Sequence, residues 1–260
     1  MSGSEYLVGE LRRLRNLVGL TQGAWGERIH FSASHVGAVE RGERPVLPDY
    51  LRAVDRVFGT ALVKFYREFV VGELAPMWLR SWLEYEERAS ALRVYQPLIV
   101  PGLLQTEDYA RMVLSSGGLL ADEVERQVQL RLGRQLALTS ETPPRVVAIL
   151  DEQALRRGEA EVMAAQLEHL ISLAQRPTIT IRVVPADAPP HLGWGGPVDI
   201  ASFDDEEDVG YLDNHLQGQV ATGPGPMTML QAVWDSVSAV ALPAHQSVAL
   251  MKEVTKTWTS

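Results

Sequence analysis

Apolar residues at the start of the chain recur at helical spacing, with Leu7, Leu11, Leu14 and Leu17 on one face and Arg12, Arg13 and Arg15 between them. The pattern predicts an amphipathic helix over 5–17, stopped at Gly19. A second helix is predicted over 21–29, where the Thr21 hydroxyl can cap open amides and Trp25 and Ile29 point inward. After a tight turn at His30-Phe31, Ser32 can cap a third helix that reaches Arg41, with Gly42 closing it in a left-handed conformation. Pro48 suits the first turn of a fourth helix, which sets Leu51, Val54 and Phe58 on one face and ends at Gly59. The expected N-terminal domain, 1–70, is therefore all-α, with four to five helices and two short ones joined by a tight turn.

Gly72 and Pro76 interrupt the helical pattern and mark a boundary, beyond which 76–260 reads as a larger α+β domain with a small mixed sheet. A helix is expected over 76–92, with Trp78, Trp82 and Tyr85 as an aromatic stripe serving the core. Pro97, Pro101 and Gly102 then enforce an extended path until Thr106 caps another helix, whose first turn carries Glu107 and Asp108. Further helices are expected over 122–138, 159–174 and 227–241, and after Pro243. The short β-branched runs 145–150, 178–184, 198–203 and 209–214, bounded by Pro, Gly or Asp, read as strands. The last two are predicted to form a hairpin with the acidic loop 204–208.

Charge changes how this organisation is read. The net charge is −9, yet 1–67 carries 10 Lys+Arg against 7 Asp+Glu, or +3, while the remainder carries 14 against 26, or −12. A mildly basic module on an acidic body can still bind phosphates locally, because the Debye length is only ~8 Å at physiological salt. With no cysteine, disulfides, thiolate zinc sites and thiol nucleophiles are excluded. Neither a signal-like N-terminus nor an apolar run approaching a membrane span is present, so a cytoplasmic protein without membrane contact is expected.

The run Gly19-Leu20-Thr21-Gln22, Trp25, Glu27-Arg28-Ile29, Phe31-Ser32, Val36, Val39-Glu40-Arg41-Gly42 and Pro45 resembles the XRE, or lambda-repressor-like, regulators. At ~100° per residue the third helix puts Val36, Val39 and Glu40 on one side and Ser34, Gly37, Ala38 and Arg41 on the outer side. In the family that outer face enters the major groove of double-stranded DNA, while the start of the second helix meets the backbone. The resemblance implies Thr21, Gln22, Ser32, Ser34, His35, Arg41 and Arg44 as the DNA-binding set. Gln22 would contact a phosphate, Ser34 would reach base edges, and His35, Arg41 and Arg44 would flank the groove. It also implies a partly buried pair between Glu40 and Arg15. Yet Ala33, Gly37 and Ala38 stand where relatives carry base-reading side chains, and Gly23, Gly26 and Gly37 each cost a helix roughly 1 kcal/mol relative to Ala. Three outcomes stay open: specificity from methyl contacts, His35, Arg41 and DNA shape; weak binding that needs a dimer or partner; or loss of DNA binding.

A second pattern covers nearly the whole chain. Glu84, Ala89, Tyr95, Pro97, the word Val100-Pro101-Gly102-Leu103-Leu104-Gln105-Thr106, and Tyr109-Ala110 are its first part. Arg131, Arg134-Gln135, Leu150-Asp151-Glu152, Ala154-Leu155, Met163, Gln166-Leu167 and His169-Leu170 complete it. Together they resemble actinobacterial helix-turn-helix regulators described as antitoxin-like, which implies a transcriptional regulator often encoded beside a small partner protein. His169, His191, His215 and His245 are scattered, and no H-E-x-x-H, G-x-S-x-G or P-loop occurs, so no enzyme, cofactor or metal site is expected. The expected function is a DNA-binding transcriptional regulator, a homodimer whose C-terminal domain senses a small-molecule effector or partner. The alternative is an interaction protein that binds a small partner, with DNA contact secondary.

Overall fold

In a computed structural model the described residues, 2–213 and 218–259, fall into two compact units. One comprises the chain up to Ala75 together with Leu114–Leu136; the other comprises Pro76–Val113 and the chain from Ala137 onward. Among the described residues no helix is long and apolar enough to cross a membrane.

The first unit opens with α1 (Gly3–Leu17), started by a capping box in which Ser2 accepts from the Glu5 amide and Glu5 reaches back to the Ser2 amide. Leu7 and Leu11 are buried, whereas Leu17, at the end of the predicted stripe, is exposed. Helices α2 (Gln22–Ile29), α3 (Ala33–Glu40) and α4 (Pro48–Phe58) follow at the predicted places, and α4 begins on its proline and ends on a left-handed Gly59. The Asp55 carboxylate then accepts from the amides of Leu62 and Val63, 2.9 Å each, and so starts α5 (Leu62–Phe65). A wider π turn at Tyr66–Val70 and α6 (Val71–Leu74) continue the same helical run.

The second unit begins with α7 (Met77–Arg88), which is shorter than the predicted 76–92 helix. Ser90 donates to the Ser202 carbonyl and accepts from the Arg145 amide, 2.9 and 3.0 Å, which draws the chain into strand β1 (Ala91–Gln96). Sheet pairing thus overrides a helical pattern that had run on through Ala91 and Leu92. After a 3-10 turn at Gly102–Leu104, α8 (Glu107–Ser115) is capped by Thr106, whose hydroxyl accepts from the Tyr109 amide at 3.3 Å. Helix α9 (Ala121–Arg134) lies within 76–260 but clusters with the first unit. Its Gly133 faces Tyr66 and Val71 so closely that a Cβ there would lie 2.5 Å from a Val71 methyl, and Tyr66 donates to the Gln129 carbonyl at 3.2 Å.

The rest of the second unit alternates strand and helix: β2 (Arg145–Asp151), α10 (Ala160–Leu173), β3 (Ile179–Val184), β4 (Val198–Ser202), β5 (Val209–Asp213), β6 (Gly218–Ala221), α11 (Pro224–Val240) and α12 (Ala244–Trp258). Among the described residues the sheet has six strands in the order β3-β2-β1-β4-β5-β6, parallel from β3 to β1 and antiparallel from β1 to β6. The predicted hairpin is β4–β5, with Asp199 opposite Tyr211, and its acidic loop is tied by Arg88–Glu206 and Arg93–Asp208, 2.6 Å each. Asn214, the predicted end of that strand, and His215 lie outside the described residues. Strand β6 was not predicted. Tyr95, Ile149, Val198 and Ile200 form one face of the core, covered by Leu230, Trp234 and Val237 of α11.

The Val100–Thr106 word has a packing role. Val100 accepts from Gln105 Nε2 and donates to the Tyr109 hydroxyl, 2.7 and 3.0 Å. The fully buried Gln166 of α10 accepts from the Thr106 amide at 2.7 Å and donates to the Leu104 carbonyl at 2.8 Å. A loop that can form no regular ladder thereby satisfies its backbone groups with side chains.

Candidate nucleic-acid interface

Every turn of the α2–α3 unit has a local chemical cause. The Thr21 hydroxyl accepts from the Ala24 amide and the Ser32 hydroxyl from the His35 amide, 3.2 Å each, so two members of the expected DNA-binding set are helix caps. His30 adopts φ 62°, and the Phe31 amide closes the turn on the Gly26 carbonyl at 2.9 Å. A Cβ on Gly26 would lie 2.3 Å from the Phe31 carbonyl oxygen, so glycine is what lets α2 meet the turn this closely. At the far end Gly42, φ 73°, lets the amides of Gly42 and Glu43 return to the carbonyls of Val39 and Ala38.

Behind α3 the carboxylate of Glu40 is a buried hub. Arg15 donates Nε and Nη2 to its two oxygens, 2.6 and 2.9 Å, and Gln22 Nε2 donates to Oε2 at 2.9 Å. Arg12 donates to the Glu40 carbonyl, and Arg15 Nη1 donates to the Leu20 carbonyl at 2.8 Å. Burial pushes the Glu40 pKa up, but the hydrogen bonds from Arg15 and Gln22 and the charges of Arg15 and Arg12 outweigh it and hold it below the ordinary carboxylate range. The pair implied by resemblance is therefore present, and it joins α1, α2 and α3.

On the outer side Ser32, Ala33, Ser34, Arg41 and Arg44 are exposed, and His35 and Ala38 are half-buried. Gly37 does not belong with them, contrary to the helical-wheel placement. It is buried, because Gln22 and Arg41 fold over it: a Cβ there would meet Arg41 Nη1 at 2.9 Å and Gln22 Oε1 at 3.1 Å. One amide hydrogen of Gln22 is spent on Glu40, which leaves its second for an outside acceptor. Arg41 makes a two-pronged pair with Glu43, 2.7 Å on both arms, and the hydrogen bonds from Arg41, with its charge, lower the Glu43 pKa. Arg44 Nη1 meets His35 Nδ1 at 2.9 Å, and the His35 ring stacks on Tyr50 with centroids 5.6 Å apart. Tyr50 accepts from Trp25 Nε1 at 3.2 Å, and burial pushes its own pKa up to about 12.

Sequence reasoning missed Glu43, which offsets Arg41, and Tyr50, which backs His35. The signal for Glu43 was its place two residues past Arg41, beyond the helix end, where spacing rules for helical pairs do not reach. His191 and His245 stand on separate elements, and among the described residues no three His, Asp or Glu side chains gather as a metal-binding group.

These features define a helix-turn-helix protein, the structural class of DNA-binding regulators, with a second, α+β region. A family model described as a helix-turn-helix domain matches residues 7–64. The chain belongs to the family described as domain of unknown function DUF5753, whose model matches residues 79–253, two thirds of its length. No curated protein and no solved structure matches it.

Proposed function

We propose that this protein is a transcriptional regulator of the XRE type, acting on double-stranded DNA in the cytoplasm as a non-enzymatic homodimer, and that its DUF5753 region carries dimerisation and the sensing of a small molecule or partner protein. The observation that carries the DNA reading is α3 itself, capped at both ends, anchored from behind by Glu40, and presenting Ser34, Ala38 and Arg41 outward. Support for sensing comes from α9, which belongs to the DUF5753 match yet packs in the DNA-binding unit. There it borders a cleft of about 590 Å³ whose lining also includes Arg41, Glu43 and Arg44, so an occupant would touch the side chains that flank the groove.

A second reading is the antitoxin-like one, in which binding a small partner protein encoded nearby is the main task and DNA contact is weak. The Arg41–Glu43 pair and the absence of long polar side chains at Ala33 and Ala38 favour it. Gel shifts on the DNA upstream of its own gene at ~0.15 M salt separate the two. Regulation predicts a discrete shift that survives excess random duplex. No shift on any duplex, together with tight binding of the neighbouring gene product, would establish the second reading and remove the first.

A further inference from the structure

We infer that the groove between the end of α2 and the face of α4 that runs from Asp49 to Val57 seats a phosphate of the DNA backbone beside α3; this rests on the DNA-binding reading above. The groove encloses about 290 Å³ and is lined by Arg28, His30, Phe31, Asp49, Arg52 and Arg56 among others. Three arginines face one carboxylate there, and Arg52 is the one Asp49 occupies, at 2.6 Å.

Arg28 and Arg56 are different. They are exposed, and among the described residues neither makes an ion pair or side-chain hydrogen bond. Elsewhere in the first 64 residues the cationic side chains are engaged within the fold: Arg12 on the Glu40 carbonyl, Arg13 on Glu10, Arg15 on Glu40, Arg41 on Glu43, Arg44 on His35, Lys64 on Glu68. Among the described residues Arg28 and Arg56 are thus the arginines of this segment that the fold leaves without a hydrogen-bonding partner, and both line this groove.

Its position fits a duplex. His30 and Phe31 are the turn that leads into α3, and His30 lies two residues before the Ser32 cap, within ~7 Å along even a fully extended chain. DNA that admits the first turn of α3 therefore brings its backbone close to long arginine side chains on α2 and α4. Two guanidinium groups in one concave site match the oxygens of a phosphodiester. Arg28 and Arg56 stand in the last turns of α2 and α4, whose C-terminal dipoles oppose an anion here, but those dipoles are partial and screened, whereas the two arginines carry full charges. An acidic protein segment would find the same charges without the neighbouring helix to position it, so backbone phosphate is the occupant argued for.

The test compares the full-length protein with the Arg28→Ala/Arg56→Ala and Arg28→Lys/Arg56→Lys variants on random-sequence duplex DNA across a salt series. Loss of two phosphate contacts should lower the slope of log affinity against log salt by about 1.8, equally for any sequence, while the lysine variant keeps most of it. A wild type that binds DNA while the alanine variant retains its slope would overturn the inference and leave the DNA-binding reading standing. So would a lysine variant as impaired as the alanine one, since that would mark a structural effect. A wild type with no affinity for any duplex would overturn both, and capture of an acidic protein with an unchanged DNA slope would reassign the groove.

Discussion

Replacing Arg15 with Met keeps most of the stem's volume and removes the main partner of a carboxylate that the fold has taken out of water. Side-chain exposure is 13% for Arg15 and 5% for Glu40, so solvent screening gives little relief. Breaking a buried pair from one side costs about 3–5 kcal/mol. Glu40 keeps its bond from Gln22 and the nearby charge of Arg12, which brings the expectation toward ~3 kcal/mol at neutral pH. The Arg15→Met/Glu40→Met protein, with no charge left to desolvate, should regain more than half of that loss. Urea unfolding of the three proteins, followed by hydrogen exchange at the α2 and α3 amides, measures both values. The pH dependence carries a sign. In the wild type the folded pKa of Glu40 lies below its unfolded value, so its contribution is full above about pH 4.3 and is lost as pH falls through the folded pKa. Without Arg15 the largest remaining influence on Glu40 is burial, which favours the neutral acid, so the stability deficit of Arg15→Met relative to wild type should shrink as pH is lowered from 7 toward 5. A single variant that loses under ~1 kcal/mol, or a double variant no better than the single, would refute the hub.

Two glycines of the DNA-binding unit should respond oppositely to alanine. Gly26→Ala drives a methyl into the Phe31 carbonyl and should cost about 1–3 kcal/mol, whereas Gly37→Ala displaces only the ends of Gln22 and Arg41 and should be neutral or stabilising by up to ~1 kcal/mol; thermal melts decide. Gln166→Leu leaves the Thr106 amide and the Leu104 carbonyl without their partner and should destabilise the second unit by about 2–4 kcal/mol, read by urea unfolding with far-UV dichroism. Glu43→Gln releases Arg41 from its ion pair and should tighten DNA binding at low salt and steepen the salt slope by about one. An unchanged slope would show that Arg41 does not meet a phosphate.

The features legible in the sequence are those with local causes. Thr21, Ser32, Gly42, Pro48 and Gly59 act where they stand, through a hydroxyl, a fixed φ or a missing Cβ, and the helices they bound fall at the predicted places. The β4–β5 hairpin was legible for the same reason. What was not legible depends on partners distant in sequence. Leu92 continues a helical pattern, yet Ser90 and its neighbours are held by Ser202 and Arg145. Gly37 reads as outward on a helical wheel, and only the folded positions of Gln22 and Arg41 bury it. Helix α9 was predicted as a helix, but its place in the first unit depends on Gly133 meeting Tyr66 and Val71. In the candidate site the anchoring pair of Glu40 and Arg15 was anticipated, while the ion pair that offsets Arg41 lay just past the end of any periodic pattern.

The central claim is that α3 enters the major groove, and methylation protection of guanine N7 on a bound upstream fragment at ~0.15 M salt tests it most directly. The account predicts a cluster of protected guanines with wild-type protein and its loss with Ser34→Asp. That carboxylate suits the first turn of a helix and so leaves the fold intact, but it repels the DNA. Bound DNA with no guanine protected, or the same protection with Ser34→Asp, would contradict it.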